Sequence, residues 1–138
     1  IFDYRQQAEN DSMLNTPPTL AWYIAGLVFK HLLRQGGLEK VGEQNRRKAQ
    51  MLYDYLDAEA FYRNPVNPAH RSWMNVPFTL RDAALDADFL KGAKAAGLSG
   101  LKGHRAVGGM RASLYNAMPE AGVRALIDYM KEFVRTRG

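Results

Sequence analysis

An α+β or α/β sandwich is the fold class that this sequence predicts, on three observations. Two short stretches alternate apolar and polar residues with the period of a strand, four others repeat apolar residues near the helical period, and turn formers separate them. With 138 residues and 46% hydrophobic content, the chain has enough apolar mass for one ordinary core, so one compact unit is expected. No internal repeat or low-complexity segment interrupts it.

Residues 1–14 are mostly polar, and Asn10, Asp11 and Ser12 cluster as turn formers, which predicts an irregular leading segment that a partner must order. Pro17-Pro18 suits a helix start, because first-turn amides have no intrahelical acceptor, and Thr16 is then the N-cap. The helix expected from about Pro17 to Gln35 carries Trp22, Tyr23, Ile24, Leu27, Val28, Phe29, Leu32 and Leu33, apolar over more than one stripe, so burial on two sides is expected. Gly36-Gly37 ends it. A second helix from Leu38 to about Asp57 places Leu38, Val41, Leu52, Tyr53 and Leu56 on one face, with a charged, solvated face opposite.

After a turn-rich connection at Asn64-Pro65 and Asn67-Pro68, the residues Met74, Val76, Phe78 and Leu80 alternate with Trp73, Asn75, Pro77 and Thr79 as a strand, and Pro77 points to an edge or a bulge. Asp82, Asp86 and Asp88 precede or open a short helix holding Phe89, Leu90 and Ala93, which Gly97 stops. Met110 to Tyr115 reads as a second strand, its apolar row Met110, Ala112 and Leu114 leaving Arg111 on the other face. Pro119 opens the last helix, with Val123, Leu126, Ile127, Met130, Phe133 and Val134 facing the core.

Composition excludes several function classes. Without cysteine there are no disulfides, thiolate metal sites or cysteine nucleophile, which fits the cytoplasm. The apolar run Leu20 to Phe29 is too short to span a bilayer, and no secretory signal is present. A net charge of +5 is spread among acidic residues rather than gathered in a tract, so a solvated surface that attracts small anions is favoured over nucleic acid. His31, His70 and His104 lack metal-ligand spacing, and no nucleophile-elbow pattern surrounds Ser113. The Gly103–Gly109 stretch lacks the lysine and hydroxyl of a phosphate-binding loop before a helix. Trp22 and Trp73 read as packing residues. A chain starting at Ile1 without methionine has the look of a fragment or processed product.

Two constellations remain as candidate sites. In Gly103-His104-Arg105-Ala106-Val107-Gly108-Gly109-Met110-Arg111-Ala112-Ser113, two arginines and a histidine sit in a glycine-rich loop that leads into a strand. Guanidinium forks bind carboxylate or phosphate, and glycines admit close approach, so this reads as an anion site or, alternatively, as an exposed turn with scattered basic groups. At Asn15-Thr16 an amide, a hydroxyl and a helix dipole converge on a phosphate, or else form a simple cap.

Asn10-Asp11-Ser12-Met13-Leu14-Asn15-Thr16-Pro17-Pro18-Thr19, Met74-Asn75-Val76-Pro77-Phe78, Gly103-His104-Arg105 and Gly109-Met110-Arg111-Ala112-Ser113-Leu114-Tyr115-Asn116-Ala117 together resemble the phosphoserine aminotransferase family, in the family's order, from about Asp3 to the C-terminus. The resemblance implies a fold-type-I aminotransferase subunit. Residues 1–16 would then end the large cofactor domain, and residues 17–138 would form a connecting helix and the small C-terminal domain, an antiparallel or mixed sheet packed against helices.

In that family pyridoxal 5'-phosphate is bound as a Schiff base to a lysine of the large domain, and the motif of that lysine does not occur in these residues. Lys102 does not match it, so the chain alone is expected to be inactive. The resemblance further implies a homodimer whose Asn15 and Thr16 reach the cofactor phosphate of the neighbouring subunit. Arg111 would hold the substrate α-carboxylate, while His104 and Arg105 would recognise the phosphate or γ-carboxylate. The reaction implied is amino transfer between glutamate and 3-phosphohydroxypyruvate, giving 2-oxoglutarate and phosphoserine. A freestanding basic module for anions or nucleic acid is the alternative.

Overall fold

The computed structural model describes residues 3–138 and divides into two compact units, one ending at Lys40 and the other running from Val41 to Gly138, where the sequence led us to expect one. In the first unit the leading segment is not wholly irregular. Tyr4–Glu9 forms a short helix, α1, because the Asp3 carboxylate accepts from the Arg5 N–H at 3.0 Å and caps it. The turn formers then act as expected: Asp11 and Ser12 take positive φ, and the Ser12 N–H donates to the Gln7 carbonyl.

Helix α2 covers Thr19–Arg34, and its N-cap is Pro18, not Thr16. After a Thr16 cap Pro17 would have to be the first helical residue, but it precedes Pro18 and is pushed out of the α region, so the helix starts later. Nor is α2 buried on two sides: none of its described residues is buried, and Leu20, Tyr23, Phe29 and Leu33 are each more than 60% exposed. The first unit's own described residues supply no layer to cover these apolar faces. Trp22 is likewise exposed rather than packed.

Helix α3, Gly37–Ala58, carries the second unit's apolar stripe of Val41, Ala49, Leu52, Tyr53 and Leu56. Leu38, expected on that stripe, is 90% exposed at the helix start. A second departure matters more, since Asn45 and Lys48 lie within the stripe and are buried with it.

The sheet is antiparallel with strand order β1-β2-β3, where β1 is Tyr62–Arg63, β2 is Asn75–Leu80 and β3 is Met110–Ser113. Two-residue β1 is too short for alternation to reveal it. Along β2, Val76, Phe78 and Leu80 point into the core, and along β3 Met110 and Ala112 do so, which bears out the alternating pattern. Pro77 sits in the middle strand rather than at an edge, facing Arg111 across the ladder. Proline is tolerated because the Arg111 N–H goes to Leu101 instead, and because β1 has ended at Arg63, leaving the Pro77 carbonyl to the Asn64 side-chain amide at 2.7 Å.

Helices α4, Asp86–Ala95, and α5, Glu120–Arg137, cover the inner face. Phe89 and Ala93 from α4 and Val123, Leu126, Ile127, Met130 and Phe133 from α5 join the strand residues in one core. Phe89 meets Tyr62, Phe78, Tyr129 and Phe133 edge to face, with centroids 5.1–6.1 Å apart, the arrangement that aromatic quadrupoles favour. Tyr62 adds a buried bond from its hydroxyl to the Met130 carbonyl at 2.9 Å.

A polar clasp ties α3 to the connection after β1. Both terminal nitrogens of Arg71 donate to the Asp57 carboxylate at 2.6 Å, and the guanidinium lies 4.6 Å from the centre of the Tyr53 ring. The Arg71 hydrogen bonds hold Asp57 below its ordinary value of 3.8. A depressed carboxylate contributes stability that is present above its unfolded value and is lost as pH falls through the folded one. Urea midpoints of the protein and of Asp57→Asn are therefore expected to differ at neutral pH and to converge below the ordinary carboxylate range. A constant difference down to the acid limit would remove this assignment.

Candidate functional site

Residues Leu101 to Ser113 build a narrow hairpin whose second arm is β3. The Arg111 N–H donates to the Leu101 carbonyl at 2.8 Å, Lys102 bridges Met110, and the Gly103 N–H donates to the Gly109 carbonyl at 2.8 Å. At the tip, the His104 carbonyl accepts from the N–H groups of Val107 and Gly108 at 2.9 and 2.8 Å. The glycine-rich stretch is thus closed by its own backbone and carries two residue sets on one element: His104 and Arg105 at the tip, Arg111 in the stem.

All three side chains are exposed. Ring nitrogen Nδ1 of His104 accepts from the Ala106 N–H at 3.2 Å, so in the neutral ring the proton sits on Nε2, which remains a donor. No Asp or Glu occurs between Asp88 and Glu120, and among the described residues Lys102, Arg105 and Arg111 have no acidic partner. A guanidinium left without a carboxylate is available to bind one, or a phosphate, in bidentate fashion. Arg111 also borders a cleft of about 580 Å³ beside β3, whose walls include Leu98, Leu101, Ser113, Met118 and Leu126.

Behind this hairpin lies a group that the sequence reading missed. Lys48 is fully buried, and its ammonium donates to the carbonyls of Leu114, Tyr115 and Met118 at 3.2, 2.9 and 2.8 Å. One helical turn earlier, Asn45 donates to the Asn116 side-chain oxygen at 2.8 Å. Burial lowers the Lys48 ammonium from its ordinary value, and the charge of Glu120 opposes that shift. The signal was present in the sequence: positions 41, 45, 48, 49, 52 and 56 follow the helical period, so the two polar residues fall on the apolar stripe.

In the first unit, Asn15 and Thr16 are exposed ahead of α2. Its N-cap Pro18 makes no side-chain cap bond, and the Thr19 N–H and hydroxyl both turn back to the Pro17 carbonyl. An amide and a hydroxyl beside the positive end of a 16-residue helix fit an anionic oxygen group such as a phosphate. Among the described residues, no cluster of His, Asp or Glu could hold a metal ion, and no helix is long and apolar enough to cross a membrane. Trp73, expected to pack, is 42% exposed and lies under Arg46, whose guanidinium is 4.9 Å from the ring centre.

Comparison with known proteins converges on one group. The family model described as aminotransferase class-V matches residues 1–126. A phosphoserine aminotransferase of Idiomarina loihiensis is 63% identical over 138 residues, which is all of this chain and 38% of that relative. Among solved structures, the phosphoserine aminotransferase of Bacillus circulans subsp. alkalophilus superposes with a TM-score of 0.91 at 43% identity, over 98% of this chain and 38% of that one. The PLP-bound phosphoserine aminotransferase of Trichomonas vaginalis gives a TM-score of 0.84 at 41% identity, over 94% and 37%. This chain therefore spans a little over a third of the length of the relatives it matches.

Proposed function

The chain belongs to the class-V aminotransferase family, and on that premise we propose that its full-length form transfers an amino group between glutamate and 3-phosphohydroxypyruvate, yielding 2-oxoglutarate and phosphoserine for serine biosynthesis. The observation that carries this reading is the hairpin. It presents two uncompensated guanidinium groups and an imidazole donor to solvent, and both amino donors in this reaction carry two anionic groups. Arg111 grips the α-carboxylate common to every substrate. His104 and Arg105 bind the far end, either the phosphate or the γ-carboxylate.

The cofactor is pyridoxal 5'-phosphate, which when bound supplies the electron sink for amino transfer. Asn15 and Thr16 hold its phosphate, the amide and hydroxyl donating where the two prolines lack N–H groups. They do so across the interface of a cytoplasmic homodimer. Residues 1–16 end the large cofactor-binding domain, residues 17–138 form the connecting helix and the small domain, and the lysine that carries the cofactor belongs to the rest of the full-length protein. The relatives that match over the whole chain are aminotransferases, which leaves the freestanding anion- or nucleic-acid-binding module without support.

Purified full-length protein supplied with the cofactor is expected to form phosphoserine from glutamate and 3-phosphohydroxypyruvate, and to make none when either is omitted. Equal turnover of pyruvate and 3-phosphohydroxypyruvate would refute the substrate assignment.

A further inference from the structure

The two anion-binding positions of the hairpin are joined by a neck, and the neck tolerates nothing larger than glycine at two points. A Cβ on Gly103 would stand 2.1 Å from the Gly108 carbonyl oxygen and 2.7 Å from that of Gly109. These are backbone atoms and cannot swing aside. Gly109 takes φ +59°, and a Cβ there would meet the Phe78 carbonyl oxygen and the Thr79 Cγ2, each at 2.8 Å. The neck is thereby closed on itself through the Gly103–Gly109 bond and seated on the end of β2. The Gly103–Gly109 bond closes the neck one residue before His104 and two before Arg111, so the separation of their backbones is set by the closed neck.

We propose that Gly103 and Gly109 are specificity-determining positioning residues, which hold His104–Arg105 at a fixed spacing from Arg111 so that ligands with two anionic groups are selected over ligands with one. This rests on the anion-binding roles proposed for those three side chains. A ligand already held at Arg111 meets the second position at an effective concentration set by the rigidity of the link between them. Loosening the neck lowers that concentration without touching Arg111. A monoanion, which engages Arg111 alone, gains nothing from the neck and loses nothing with it.

The test compares inhibition constants of glutarate, with two carboxylates, and butyrate, with one, on the full-length enzyme loaded with cofactor. Gly103→Ala is expected to weaken glutarate roughly tenfold, about 1.4 kcal/mol, and to leave butyrate within about twofold. Parallel losses for both inhibitors, or no loss for either, overturn the proposal. Should Gly103→Ala fail to fold by circular dichroism, a single glycine inserted after Val107 decides the matter. That residue is 73% exposed at the tip, so the insertion leaves the core alone and is expected to lower the preference for glutarate in the same way. An unchanged preference overturns the proposal. Arg111→Ala separates the two readings, because it must weaken both inhibitors. If it spares butyrate, the assignment of Arg111 fails; if it behaves as expected while the neck variants keep their preference, only the neck does.

Discussion

Arg111→Ala in the full-length enzyme is expected to lower kcat/KM for every amino donor by roughly a hundred- to a thousandfold, about 3–4 kcal/mol of transition-state binding. The size follows from the setting of the side chain. Its backbone is fixed on both sides, by β2 through its neighbours Met110 and Ala112 and by the Leu101 carbonyl through its own N–H. Among the described residues its guanidinium has no acidic partner, so removal is expected to cost the substrate its charge-assisted fork and to relieve nothing in exchange. Arg105→Ala, at the exposed tip, is expected to act differently, with the larger loss on phosphorylated substrates. Steady-state kinetics with glutamate and phosphoserine as donors distinguish the two. Identical losses for both substrates in both variants would end the division of labour.

The second large effect is on stability. Lys48→Met is expected to cost about 3 kcal/mol in urea unfolding, because three carbonyls in the turn after β3 each lose their donor, at about 1 kcal/mol apiece. Lys48→Arg does not rescue it, since a planar fork cannot match three carbonyls arranged around one compact ammonium. Because Lys48 is buried, the loss should persist in high salt, whereas the surface pair of Arg47 with Glu120 is screened there. A Lys48→Met protein within about 0.5 kcal/mol of the parent would show the clamp to be of no consequence.

Helices α3 and α5 and the alternation along β2 and β3 were readable in the sequence because each buries one face against the rest of its own unit, and burial of one face imposes a period. Arg111's outward direction followed from that period alone. Other features depended on neighbours distant along the chain, which no local pattern encodes. Pro77 could occupy a middle strand only because β1 stops short beside it and Leu101 takes up the amide of Arg111. The place of Lys48 on the apolar stripe could be read locally, but the three carbonyls that hold it lie 66 to 70 residues further along the chain.

The start of α2 was misplaced by overlooking a local rule, the restriction that proline puts on the residue before it. Its expected burial failed for a different reason: apolar character shows that a surface must be covered, but not that the covering layer lies within the same stretch of chain. Residue types and motifs by themselves determined the fold class and the family, and they motivated the anion-binding chemistry proposed above. Tertiary structure alone decided that His104, Arg105 and Arg111 share one closed hairpin, because the bonds that close it join residues six and ten apart across a loop with no period to read.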